Sequence, residues 1–90
     1  MSVSVGSVTF DRVSYDREAD VLYLSSGDPG QAVDFDESQE GHALRYDSDG
    51  RLVGITIVGA RRLLEQDEIV VTPPQLRVDG EELAAALAAA

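Results

Sequence analysis

Leu52-Val53-Gly54-Ile55-Thr56-Ile57-Val58, preceded by Asp47-Ser48-Asp49-Gly50, is the stretch whose reading decides the fold. A seven-residue run rich in β-branched side chains suits a strand better than a helix, and an Asp-Gly step between two apolar runs is among the stronger hairpin signals. Alternation assigns Val53, Ile55 and Ile57 to one face, and Leu52, Thr56 and Val58, flanking Gly54, to the other. Both faces are apolar, so the strand is expected in the middle of a sheet, away from an edge that would invite aggregation.

Upstream, residues 42–46 set Leu44 and Tyr46 opposite Ala43 and Arg45 and supply the first arm of that hairpin. A matching unit lies nearer the N-terminus. Tyr15-Asp16 leads through Arg17-Glu18-Ala19-Asp20 into Val21-Leu22-Tyr23-Leu24, with Leu22 and Leu24 on one face and Val21 and Tyr23 on the other. Between the two units, residues 25–30 have loop chemistry. Residues 32–36 then alternate Val33 and Phe35 with Asp34 and Asp36, as a half-buried peripheral strand would.

Downstream, residues 59–66 suit one or two helical turns, Ile69-Val70-Val71 a short strand, and Pro73-Pro74 a stop. A final helix over about residues 80–90 is announced by Asp79 as cap, Glu82 three positions on for the reciprocal bond, and Val78 placed to pack on Leu83. Its large apolar residues, Leu83 and Leu87, form one stripe, and a helix this short needs a docking surface. The expected class is α+β: a small antiparallel β-sheet built from two hairpins as a meander, one short helix and a C-terminal helix. The expected division is a flexible N-terminus over 1–7, a β-rich domain over 8–72, and a Pro-Pro linker with the helix over 73–90.

The two ordered blocks, Tyr15-Asp16-Arg17-Glu18-Ala19-Asp20-Val21-Leu22-Tyr23-Leu24 and Tyr46-Asp47-Ser48-Asp49-Gly50-Arg51-Leu52-Val53-Gly54-Ile55-Thr56-Ile57, closely resemble the small prokaryotic proteins grouped as domain of unknown function 2283 (DUF2283). The resemblance covers about residues 13–62. It implies a compact β-rich unit and carries over no catalytic residue. Thr56 stands where an acidic residue is common in that family, and the stretch after Gln66 is an addition.

Composition limits the function classes. The 90 residues carry 17 acids against 7 bases, a net charge of −10, and every base is Arg. Such a surface repels the phosphate backbone whose neutralisation drives nucleic-acid affinity, so no nucleic-acid partner is expected. Arg61-Arg62 alone makes no basic patch. The chain has no cysteine for a thiolate site and no secretion signal or membrane-spanning stretch, so the expected location is cytoplasmic with no membrane partner.

No catalytic residue and no cofactor is expected. His42 is the only histidine, and no Gly-x-Ser-x-Gly elbow presents a serine. Asp16, Asp20, Asp47 and Asp49 are weak candidates for a divalent cation, because hard cations want many oxygens. Aligning Gly50 with the glycine of a calcium loop, however, places Arg45 and Thr56 at positions that require carboxylates. The acidic stretch Asp34, Asp36, Glu37 and Glu40 reads as a solvated loop.

The expected function is a non-enzymatic protein-interaction or regulatory module, antitoxin-like or accessory, acting through an apolar sheet face with an acidic rim. Its expected partners are a second copy of the chain and a basic protein. Val21, Tyr23, Leu52, Val58, Leu83 and Leu87 are the residues expected to carry the interaction. A divalent-cation or small-ligand binding protein using the hairpin aspartates is the alternative.

Overall fold

The computed structural model describes residues 2–27, 31–66, 69–72 and 76–89. Its strands are β1 (Val3–Val5), β2 (Val8–Phe10), β3 (Arg12–Asp16), β4 (Val21–Ser25), β5 (Asp34–Glu37), β6 (Ala43–Tyr46), β7 (Leu52–Val58), β8 (Val70–Val71) and β9 (Leu76–Arg77). Helices α1 (Ala60–Gln66) and α2 (Gly80–Ala89) complete this α+β chain. The five long strands form one antiparallel sheet in the order β3-β4-β7-β6-β5. β5, β6 and β7 make a meander, and β7 returns to lie against β4, which places the most apolar strand at the centre as expected.

Register explains the core. Leu22 pairs with Ile57, and Leu24 and Leu44 both pair with Ile55, so these five side chains share the inner face, all buried. Val13 and Tyr15 join them from the edge strand β3. The expected position of Leu52 is corrected by a β-bulge between Arg45 and Tyr46. Arg45 pairs with Gly54 but Tyr46 pairs with Leu52, which leaves Val53 as the extra residue and turns Leu52 inward to pack on the core.

The inner face is covered by the two ends of the chain. In place of a flexible N-terminus, β1 and β2 form a hairpin in which Val3 and Val5 are fully buried, together with Phe10. The Ser-Val-Gly segment has nothing local to pack against, but the last helix reaches it. Ser4 N–H donates to Glu82 Oε1 at 2.9 Å, Asp79 N–H donates to the Ser4 carbonyl at 2.8 Å, and Val5 bridges Val78. Asp79 caps α2 as expected, accepting from Glu82 N–H at 3.0 Å, while the Glu82 carboxylate caps β1 instead of closing the reciprocal bond.

Leu83 and Leu87 are both buried in the same cluster as Ile69, Val71 and Val78, so residues 76–89 share the core of the β-rich part rather than standing apart from it. The expected Pro73-Pro74 linker and the Asp28-Pro29-Gly30 part of the first long loop lie outside the described residues.

Candidate interaction surface

The outer face of the sheet follows from the same register. Three rows cross it: Arg12, Ser25, Gly54, Arg45 and Phe35; then Ser14, Tyr23, Thr56, Ala43 and Glu37; then Asp16, Val21 and Val58. Of these, only Gly54 is buried. Arg45 lies across it: a Cβ on Gly54 would sit 3.4 Å from both Cβ and Cδ of Arg45. Phe35 is 71% exposed, Val58 55% and Tyr23 44%. Scattered exposed apolar residues are ordinary, but these share one face of one sheet. Val33, just ahead of β5, is also exposed, so of residues 32–36, expected to be half-buried, only Ala32 is.

The six expected interaction residues therefore divide. Val21, Tyr23 and Val58 lie together on the outer face, whereas Leu52 packs on the core and Leu83 and Leu87 are buried under α2. The reason is that the bulge reverses Leu52 and that β1 docks the final helix within the same chain. Sequence reading missed Phe35 and Arg45 as members of the surface. Their alternation with Asp34 and Leu44 was visible, but which side of β5 and β6 would be covered was not.

The four aspartates weighed as cation ligands are held apart. The turn with Asp16 and Asp20 follows β3 at the Val58 end of β7, and the turn with Asp47 and Asp49 abuts the Leu52 end. Seven strand residues separate those ends by roughly 20 Å. Each turn also uses its own oxygens. Asp16 Oδ1 accepts from the amides of Glu18 and Ala19, and Asp47 Oδ1 accepts from those of Asp49 and Arg51 at 2.9 Å each. Among the described residues no three His, Cys, Asp or Glu side chains group as a metal site.

Asp20 has a different task. It is the one described non-glycine residue with positive φ, 56°, a conformation that Asp tolerates better than most. Its Oδ1 accepts from Tyr15 O–H at 2.7 Å and from Arg61 N–H at 2.8 Å, and its Oδ2 accepts from Arg62 N–H at 3.2 Å. Its carbonyl accepts from Gly59 N–H at 2.7 Å. The first hairpin thus caps α1 directly after the second hairpin, and Arg61 lies 5.9 Å from the Tyr15 ring. Partial burial pushes the Asp20 pKa up, but the Tyr15 hydroxyl and the two helix amides outweigh it and hold the carboxyl below its ordinary value.

Residues 12–61, more than half of the chain, match the family described as protein of unknown function (DUF2283). The chain belongs to this family. No curated protein and no solved structure matches it. The DUF2283 span contains the whole five-stranded sheet and ends at the residue whose amide Asp20 caps. Most of what covers the inner face, Val3, Val5, Phe10, Ile69, Val71, Val78, Leu83 and Leu87, comes from outside that span.

One further polar group sits at the margin of the DUF2283 sheet. His42 and Ser38 are buried where β5 turns into β6, His42 N–H donating to Ser38 Oγ at 3.0 Å. Burial pushes the His42 imidazole below its ordinary pKa, and the charge of Glu40 offsets this only in part. Glu40 Oε1 accepts from Thr72 N–H at 2.8 Å, which ties the turn to β8. These bonds account for the cluster as a structural clasp. No described helix is long and apolar enough to cross a membrane.

Proposed function

We propose that this DUF2283 protein is a non-enzymatic interaction module in a cytoplasmic setting, docking protein through the outer face of its five-stranded sheet in an antitoxin-like or accessory role. The observation that carries the reading is the shared exposure of Tyr23, Phe35 and Val58 on a face of which only Gly54 is buried. Aromatic and aliphatic side chains on a rigid sheet make good anchors, because little freedom is lost when they are covered. The acid surplus of the chain lies off this face, where it disfavours nucleic acid and leaves a basic protein as a partner for the acidic remainder rather than for the face itself. The cation-binding reading has less support, since the aspartates it needs sit at opposite ends of β7 and Asp16, Asp20 and Asp47 already accept backbone amides.

Affinity capture of the tagged chain from cells that produce it, alongside a Tyr23→Glu/Val58→Glu variant, tests this reading. At least one protein, a second copy of the chain included, is expected to be bound by the parent and lost from the variant. Identical captured sets would overturn it.

A further inference from the structure

We infer that the outer face of the sheet is covered by a second copy of this chain, related by a two-fold axis that runs across the strands through the row Tyr23, Thr56 and Ala43. This rests on the face being a docking surface and adds what occupies it and how.

Charge points to the occupant. The chain as a whole carries −10, yet the outer face holds Arg12 and Arg45 against Asp16 and Glu37 and is neutral. A face that evolved for a strongly basic partner would carry the acid surplus; here the surplus lies elsewhere. Two copies can therefore meet on this face while their like-charged remainders point away from each other.

The placement of the four charges selects the axis. Arg12 and Arg45 lie in the row at one end of the strands, Asp16 in the row at the other end, and Glu37 at the far edge of the middle row. A two-fold axis along the strands would set the arginine row over its own row, Arg12 over Phe35 and Arg45 over Ser25 of the second copy, so that neither arginine would face an acid. An axis across the strands sets it over the opposite row, so that Arg12 faces Asp16 of the second copy and Arg45 approaches its Glu37. Ser14, Tyr23, Thr56, Ala43 and Glu37 then each face their own equivalents, the two Glu37 side chains meeting at the margin with an Arg45 one row away on either side, and Phe35 lies at the edge.

Sheets packed face to face in this way run close to aligned, about 10 Å apart. Five strands at about 4.8 Å and five residues at about 3.3 Å give roughly 400 Å² of projected face per copy, about half the standard interface and in the range of weak, transient contacts. The association is accordingly expected in the micromolar range rather than as an inseparable dimer.

The absence of cysteine makes the test clean. Ala43 is exposed and small, so Ala43→Cys introduces one thiol per chain on the predicted axis. A short bismaleimide is expected to join two such chains. The alternative axis would put Ala43 opposite Tyr23, two strands and about 10 Å to the side.

Charge reversal supplies the second arm, read by sedimentation equilibrium on the purified full chain. Arg12→Asp and Asp16→Arg are each expected to weaken dimerisation by about tenfold or more, because each contact occurs twice under two-fold symmetry, and the double variant to restore it to within about threefold. The two residues are four apart on one strand, too far to pair within a chain, so rescue reports a contact between copies.

A dimer that cross-links at Ala43→Cys and is rescued by the double reversal supports the inference. A chain that stays monomeric at millimolar concentration overturns it, as does a dimer with neither property. If a monomeric chain still loses a captured protein on Tyr23→Glu/Val58→Glu substitution, the docking surface stands and only its occupant is wrong.

Discussion

The inner and outer faces of this sheet are built from the same strands, and they end differently. On β4, Leu22 and Leu24 are buried while Val21 and Tyr23, one position away, are not; on β7, Ile57 is buried and Val58 is largely exposed. Apolar side chains at alternate positions make a face that can be covered. What decides which face is covered is supplied from far along the chain: the hairpin β1–β2, the pair β8–β9 and α2 all pack on one side. The difference teaches that the core of this protein belongs to the sheet and its flanks together, whereas the outer face stays exposed in the single chain.

The largest effect that separates the faces is a truncation on each. Ile55→Ala on the inner face is expected to destabilise by about 2–5 kcal/mol, since a buried aliphatic side chain leaves a cavity. Tyr23→Ala on the outer face is expected to change the stability of the dilute chain by less than about 0.5 kcal/mol. Urea unfolding at low protein concentration measures both, and comparable losses would break the comparison.

The two hairpin turns sharpen it at intermediate scale. Asp47 bonds amides two and four residues on, whereas Asp20 bonds amides of Arg61 and Arg62 and holds α1 against the sheet. Asp20→Ala removes a cap and puts at φ 56° a residue that tolerates the left-handed region less well than Asp, for an expected loss of about 2–3 kcal/mol. Asp47→Ala removes only a local turn bond and is expected to lose about 1 kcal/mol. Equal losses by the same unfolding measurement would show that the link from Asp20 to α1 adds nothing.

The smallest effect concerns acid. Asp20 and Glu40 hold protons less readily when folded, so the stability each lends is complete above its unfolded value, near 3.8 and 4.5, and is lost as pH falls below it. His42 is likewise lowered. The unfolded chain takes up a proton as pH drops through about 6.5 while the buried imidazole resists, so stability begins to fall there. Relief of the net negative charge acts in the opposite sense, so the measure is the difference in Tm between the parent and His42→Gln across pH 7.5 to 5. The parent is expected to lose ground relative to the variant as pH falls; a constant difference would contradict this.

The sequence made much of the sheet legible. The Asp-Gly turn, the alternation of β4 and β6 and the apolar β7 gave the hairpins and the central strand, and Asp79 marked the start of α2, because each signal is local. What was not legible depends on contacts between distant residues. Val3 and Val5 look like a loose end until Glu82 and Val78 close on them. Leu52 changes face through a bulge that no single residue announces, and Asp20 reads as an ordinary turn former until α1 arrives 41 residues later. For the candidate surface, Val21, Tyr23 and Val58 were readable from the period of two; Phe35 and Arg45 required the strand order.

The most direct test of the central claim is a dilution series of amide NMR spectra from millimolar to micromolar concentration. Shifts are expected in β3, β4, β6 and β7 around Arg12, Asp16, Tyr23, Ala43, Thr56 and Val58, with α2 and β1 unchanged. Spectra that do not change with concentration, or changes centred on α2 and β1, would contradict an outer face closed by a second copy.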